Sequence, residues 1–221
     1  MAGAPRNFLS GEELSRDELN ALLDRALELK SDRPSAGAGA LAGRSVALIF
    51  EKPSTRTRVS FEVGVAELGA TPIVLRGDEL QLTRGESIGD TARVLSRYVH
   101  AIVIRSGSHE AVAELAEGAS APVVNALTPL HHPCQALADL MTLRERFGSL
   151  DSVRVAYVGD GNNVARSLAV LGRVADADVV VSSPPGFALP TADAELVEDP
   201  REAVAGADAV YADVWVSMGD E

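Results

Sequence analysis

Cysteine occurs once in the 221-residue sequence, as Cys134. One cysteine excludes an internal disulfide and any metal centre built on cysteine pairs, so Cys134 is either a small packing residue or part of a site. Lysine is scarce, with Lys30 and Lys52 the only examples, so nearly every cation is an arginine. No apolar run approaches the roughly 20 residues that span a bilayer, although apolar residues are spread along the whole chain. Positive charge is short overall: 20 Lys and Arg face 32 Asp and Glu, and the net charge of −12 opposes general binding to nucleic acid or an anionic membrane. Any anion must therefore be held by a local arrangement. The acidic, Arg- and Ala-rich balance suits a solvated surface in high salt and the amino-acid bias of a GC-rich genome equally well. Met1 to Arg6 lacks the apolar stretch of a secretory signal, and a soluble, cytoplasmic protein is expected.

The length allows one large or two small domains, each with a buried core. Ser10 with Glu13 and Ser15 with Glu18 form capping boxes ahead of Leu19, Leu22, Leu23, Ala26 and Leu27, which predicts an amphipathic helix beginning near Ser10. After a Gly-, Ala- and Ser-rich loop, Ser45 to Phe50 reads as a strand buried on both faces. Helices are then predicted near residues 55–68, 86–99, 109–117 and 132–147, and strands near 72–75, 101–105 and 122–125. Beyond Gly148 the pattern resumes with strands at 153–158, 178–182 and 207–213 and helices at 162–172 and 200–205. Alternating strands and helices predict an α/β protein with two doubly wound parallel-sheet domains, residues 1–147 and 148–221. Residues 190–199 are short for a strand-to-strand crossover.

Ser54-Thr55-Arg56-Thr57-Arg58 follows the first strand and opens a helix. A helix start offers unpaired N–H groups and the positive dipole end, and here hydroxyls and guanidinium groups join them at the carboxyl edge of a parallel sheet. That combination is an anion pocket; a lone Ser-Thr pair would be read as an N-cap and no more. Val158-Gly159-Asp160-Gly161-Asn162-Asn163-Val164 sits at another strand-to-helix turn. Val164 replaces the third glycine of a dinucleotide fingerprint and the next strand ends in serines rather than an acid, which argues against a nicotinamide cofactor. His100 and His109 read as surface or core residues. His131 and His132 are adjacent and point differently, so one of them is expected to enter a site. The His, Cys and acidic residues show no metal-ligand spacing, and no metal or cofactor is expected.

Taken in order, Ser54 to Arg58, Gln81, Glu86-Ser87, Asp90 to Leu95, Arg105, His132-Pro133-Cys134-Gln135, the Gly159 to Asn163 turn and Asp213-Val214-Trp215-Val216-Ser217-Met218-Gly219 resemble the aspartate and ornithine carbamoyltransferase family. The resemblance covers Ser45 to Glu221. It implies that Ser54, Thr55, Arg56 and Thr57 hold the phosphate of carbamoyl phosphate, that Arg105 reaches phosphate and carbonyl oxygens, that His132 binds the carbonyl, and that Gln135 contacts the carbamoyl nitrogen. It implies that Gln81 reaches the site of a neighbouring subunit in a homotrimer. It implies that Asn163, Asp213, Ser217 and Met218 bind L-ornithine, whose δ-amine accepts the carbamoyl group to give L-citrulline in arginine metabolism, with Arg56, Arg105 and His132 as catalytic residues. Family members continue past the Ser-Met-Gly loop with a His-Cys-Leu-Pro segment and a final helix, so the second domain is expected to be incomplete. Alternative readings are a non-catalytic carbamoyl phosphate binder and a carbamoyltransferase acting on putrescine or aspartate.

Overall fold

The computed structural model of the protein describes residues 6–33, 35–80, 85–189 and 194–213. The elements in chain order are α1 (Arg16–Ser31), β1 (Ser45–Phe50), α2 (Thr55–Glu67), β2 (Thr71–Arg76), α3 (Ile88–Leu95), β3 (Ala101–Arg105), α4 (His109–Gly118), β4 (Val123–Leu127) and α5 (Pro133–Phe147). They continue with β5 (Arg154–Val158), α6 (Asn163–Ala175), β6 (Asp178–Ser182), β7 (Glu195–Val197), α7 (Pro200–Val204) and β8 (Ala209–Ala212). The strands form two parallel sheets, ordered β2-β1-β3-β4 and β7-β6-β5-β8. Packing divides the chain into one unit of Met1–Leu9 with Leu27–Pro129 and another of Ser10–Ala26 with Leu130–Glu221. By packing, α5 thus belongs with the second sheet. Among the described residues no helix is long and apolar enough to cross a membrane.

The continuous apolar run of β1 is explained by burial on both faces. Val46, Leu48 and Phe50 pack with Phe61 and Val65 of α2 on one side, while Ala47 and Ile49 pack with Ala92 of α3 and Val112 and Leu115 of α4 on the other. Alternate side chains of a strand point to opposite faces, so helices on both sides demand apolar residues throughout. The second sheet is covered in the same way: Ala156 and Val180 meet Ala203 of α7 on one face. On the other, α6 comes so close that a Cβ on Gly172 would lie 2.5 Å from Val179 Cγ2.

Two local features differ from the sequence expectation. Both capping boxes form, with the Ser10 N–H donating to Glu13 Oε1 at 3.0 Å and the Ser15 N–H to Glu18 Oε2 at 2.9 Å, but only the second opens α1. The first closes a separate turn, in which Gly11 takes φ 105°, a value helices do not use. Between 190 and 199, Glu195–Val197 forms the short edge strand β7 beside β6. Three residues carry too little periodicity to announce a strand.

Leu48 is fully buried in the centre of the first sheet. Leu48→Ala should lower stability by about 2–5 kcal/mol through lost burial and the gap left behind. Urea unfolding of the first unit measures it, and a loss below about 1 kcal/mol would mean the core closes over the gap.

Candidate functional site

In the first unit, β1 has β2 on one side and β3 on the other, so the connections leaving β1 and β3 run to opposite faces of the sheet and part at its carboxyl edge. Such a switch point is where open α/β sheets bind ligands. Phe50 pairs with Arg105 at the ends of the two strands, and the Glu51 N–H donates to the Arg105 carbonyl at 3.1 Å. The Glu51 carboxylate accepts from the Ser106 hydroxyl at 2.6 Å and the Gly107 N–H at 3.0 Å, tying the two loops together.

Ser54 occupies the N-cap of α2 in an extended conformation, φ −156° and ψ 115°, yet its side chain does not cap the helix. Its Oγ instead accepts from Arg105 Nη1 at 3.3 Å. The opening N–H groups of α2 are therefore left without a side-chain acceptor, the condition that suits an anion. Arg105 is half-buried and its Nε is buried with no hydrogen-bond partner among the described residues. Desolvation lowers its pKa, but a guanidinium stays charged, and an unpaired buried donor on a cation is costly unless an anion arrives. Arg56 is exposed and makes no ion pair among the described residues, whereas Arg58 is engaged by Glu62 at 3.2 Å. Ser54 thus stands beside Arg105 at the sheet edge where Thr55, Arg56 and Thr57 open α2.

In the second unit the switch point lies between β5 and β8. Asp213 directly follows β8, and its N–H donates to the Val158 carbonyl at 3.2 Å. Asp213 Oδ2 accepts from the Tyr157 hydroxyl and from Asn162 Nδ2, each at 2.6 Å. Asn162 Oδ1 meanwhile caps α6, accepting from the Val164 N–H at 2.9 Å and the Ala165 N–H at 3.3 Å. One amide holds both the helix start and the acid. Tyr157 is completely buried and stacks on Tyr211, with ring centroids 5.3 Å apart. Burial and the adjacent Asp213 push the Tyr157 phenol upward, so it remains a donor. The glycines of the turn serve close backbone approach: a Cβ on Gly159 would lie 3.0 Å from Asp213 Cβ, and one on Gly161 would lie 2.5 Å from the Leu189 nitrogen. Asn163 is the first residue of α6. Asn162 and Tyr157 were not singled out from the sequence; an Asn just before a helical run is the one available signal.

His132 occupies the N-cap of α5, and its N–H donates to Ser167 Oγ of α6 at 2.7 Å. His131 is buried and His132 half-buried. Gln135 Nε2 donates to Asp139 Oδ1 at 2.9 Å. Burial pushes the Asp139 carboxyl up to about 6, against the opposing effect of the Gln135 hydrogen bond. Burial pushes the Cys134 thiol up to about 12, so it stays protonated. His100 Nδ1 accepts from the Ser45 N–H at 3.2 Å, and His109 Nδ1 lies 3.2 Å from Thr128 Oγ1; both serve local structure. Among the described residues no three His, Cys, Asp or Glu side chains gather as metal ligands would. Gln81, Ser217 and Met218 lie outside the described residues.

Comparison with known proteins bears on both sites. Residues 6–145 match the carbamoyl-P binding domain of aspartate/ornithine carbamoyltransferase, and residues 151–221 match its Asp/Orn binding domain. An ornithine carbamoyltransferase from Acidothermus cellulolyticus is 54% identical, aligned over 98% of this chain and 73% of its own. One from Bacillus subtilis is 47% identical over 98% of this chain and 71% of its own. Among solved structures, ornithine carbamoyltransferase from Pyrococcus furiosus superposes with a TM-score of 0.91 at 46% identity, covering 99% of this chain and 74% of that one. The Thermus thermophilus protein gives 0.90 at 42% identity over 97% and 76%.

The raised Asp139 has a consequence for stability. A carboxyl whose folded pKa exceeds its ordinary 3.8 favours the fold while protonated, and that contribution is lost as pH rises through about 6. Asp139→Asn should therefore gain melting temperature relative to the parent between about pH 4 and about pH 7. A difference independent of pH across that window would contradict the raised carboxyl.

Proposed function

The chain belongs to the aspartate/ornithine carbamoyltransferase family, and from that premise we propose that it transfers the carbamoyl group of carbamoyl phosphate to the δ-amine of L-ornithine, yielding L-citrulline and phosphate. The observation that carries this reading is the helix start at Ser54 to Thr57, which lacks a side-chain cap, beside Arg105 with its buried, unpartnered Nε. That is a seat for a multiply charged oxyanion.

In the reaction, Ser54, Thr55, Arg56 and Thr57 hold the phosphate, and Arg105 bridges phosphate and carbonyl oxygens. His132 binds the carbonyl oxygen and Gln135 the carbamoyl nitrogen. Asp213, oriented by Tyr157 and Asn162, pairs with the α-ammonium of the acceptor, with Asn163, Ser217 and Met218 completing the amino-acid site. A carboxylate there suits ornithine, whereas aspartate would need added cations for its second carboxylate. The neutral δ-amine attacks the carbamoyl carbon. As the new C–N bond forms, the carbonyl oxygen gains negative charge, facing Arg105 and His132. The carbon–oxygen bond to phosphate then breaks, its electron pair leaving on the phosphate, which takes up the proton lost by the amine nitrogen. Alignment of two bound reactants and fixed positive groups supplies the catalysis. The activity belongs to arginine metabolism, and a cytoplasmic location and a homotrimer in which Gln81 reaches a neighbour's site complete the proposal. In functional terms, residues 1–147 serve carbamoyl phosphate and residues 148–221 serve the amino acid.

Arg56→Ala should lower turnover by about two to three orders of magnitude, the effect of losing one charge-stabilising donor worth about 3–4 kcal/mol, with the fold intact by circular dichroism. A folded variant with parental citrulline formation would remove Arg56 from the site. In competition for carbamoyl phosphate, ornithine should be consumed ahead of putrescine and aspartate. Preferential loss of either rival would reassign the acceptor.

A further inference from the structure

A glutamine amide can present either of two faces. Rotating it by half a turn exchanges an NH2 donor for a carbonyl acceptor, and only its surroundings decide which one meets a ligand. Gln135 and Asp139 are four residues apart on α5, hence neighbours on one face of the helix. An ionised carboxylate only accepts hydrogen bonds, so a glutamine facing it must turn its NH2 inward, as the 2.9 Å contact from Nε2 to Asp139 Oδ1 shows. The Gln135 carbonyl Oε1 then faces away from Asp139 and has no hydrogen-bond partner among the described residues.

We propose that Asp139 is a positioning residue that locks the Gln135 amide with its carbonyl outward, so that the site selects an acyl phosphate bearing an NH2 group on the acyl carbon. The proposal rests on the reading of Gln135 as the contact to the carbamoyl nitrogen. A carbamoyl NH2 is a donor and matches the outward Oε1; a methyl group in its place offers nothing.

The form of Asp139 supports this role. Its Oδ2 is buried with no partner among the described residues, an arrangement that costs stability. Burial pushes its pKa up to about 6, which still leaves it mainly ionised at neutral pH. Asp139 in turn helps raise the phenol of Tyr211 on β8, which burial chiefly pushes up to about 12, so that phenol stays neutral and places no charge against the carboxylate. An asparagine would avoid the cost of the buried charge. It could, however, show Gln135 either an oxygen or an NH2, and so would not decide which way the amide faces. A carboxylate does decide it.

Acetyl phosphate, with a methyl in place of the NH2, is the probe. Dissociation constants for carbamoyl phosphate, acetyl phosphate and inorganic phosphate should be measured by calorimetry on the full chain, on Gln135→Leu, on Asp139→Leu and on the double variant. The parent should prefer carbamoyl over acetyl phosphate by roughly tenfold or more, because a site built to pair with an NH2 group rejects an analogue without one. Each single variant should lose most of that preference, the double variant should be no worse than Gln135→Leu, and inorganic phosphate should bind alike to all four. A purely structural Asp139 would instead weaken all three ligands together. Asp139→Asn keeps the side-chain shape and serves if the Leu variant does not fold; it should show a partial loss of preference. Full preference in either Asp139 variant, or a loss that adds to that of Gln135→Leu, overturns the positioning role while leaving Gln135 in place. Full preference in Gln135→Leu overturns the reading of Gln135 itself, and this proposal with it.

Discussion

Backbone N–H groups at the start of a helix must find acceptors, and a sequence can satisfy them with its own side chain or leave them for a ligand. At α2 the protein takes the second course: Ser54 adopts the N-cap conformation but turns its hydroxyl to Arg105. Much else in the first unit follows from that choice. The Glu51 carboxylate bridges the two loops through Ser106 and Gly107, holding Arg105 beside the helix start. Charge on the chain as a whole is strongly negative, so attraction for an anion has to come from this one fixed arrangement rather than from a general field.

The second unit resolves its switch point in the opposite manner. Asn162 does cap its helix, and the same amide turns its NH2 to Asp213 while the buried Tyr157 hydroxyl approaches from the strand. Two neutral donors orient a carboxylate without cancelling its charge, which leaves it able to pair with an ammonium group. Gly159 and Gly161 matter here because backbone must pass within contact of Asp213 and of residues 187–189, where a side chain would collide. The pattern that resembles a dinucleotide fingerprint therefore has a packing explanation.

Both units accept local cost at residues of the proposed sites. Arg105 keeps a buried donor unpaired and Asp139 keeps a buried carboxylate oxygen unpaired among the described residues. Such groups are expensive, and Arg105 at the end of β3 contacts Ser54 while Asp139 on α5 contacts Gln135, so each lies against a residue of a proposed site.

The alternation of strands and helices, the two-sided burial of β1 and the helix start at Ser54 to Thr57 were legible in the sequence alone, because each is written in contiguous residues: apolar runs, periodicity, and hydroxyls interleaved with arginine at a strand-to-helix turn. The start of α1 was blurred because two capping boxes compete five residues apart, and β7 was hidden by its brevity. Tertiary structure alone decided the partners of Arg105 and Asp213. Ser54 and Arg105 are 51 residues apart and Tyr157 and Asp213 are 56 apart. Only parallel pairing of their strands brings them within a hydrogen bond, and no local rule of propensity reaches across that distance.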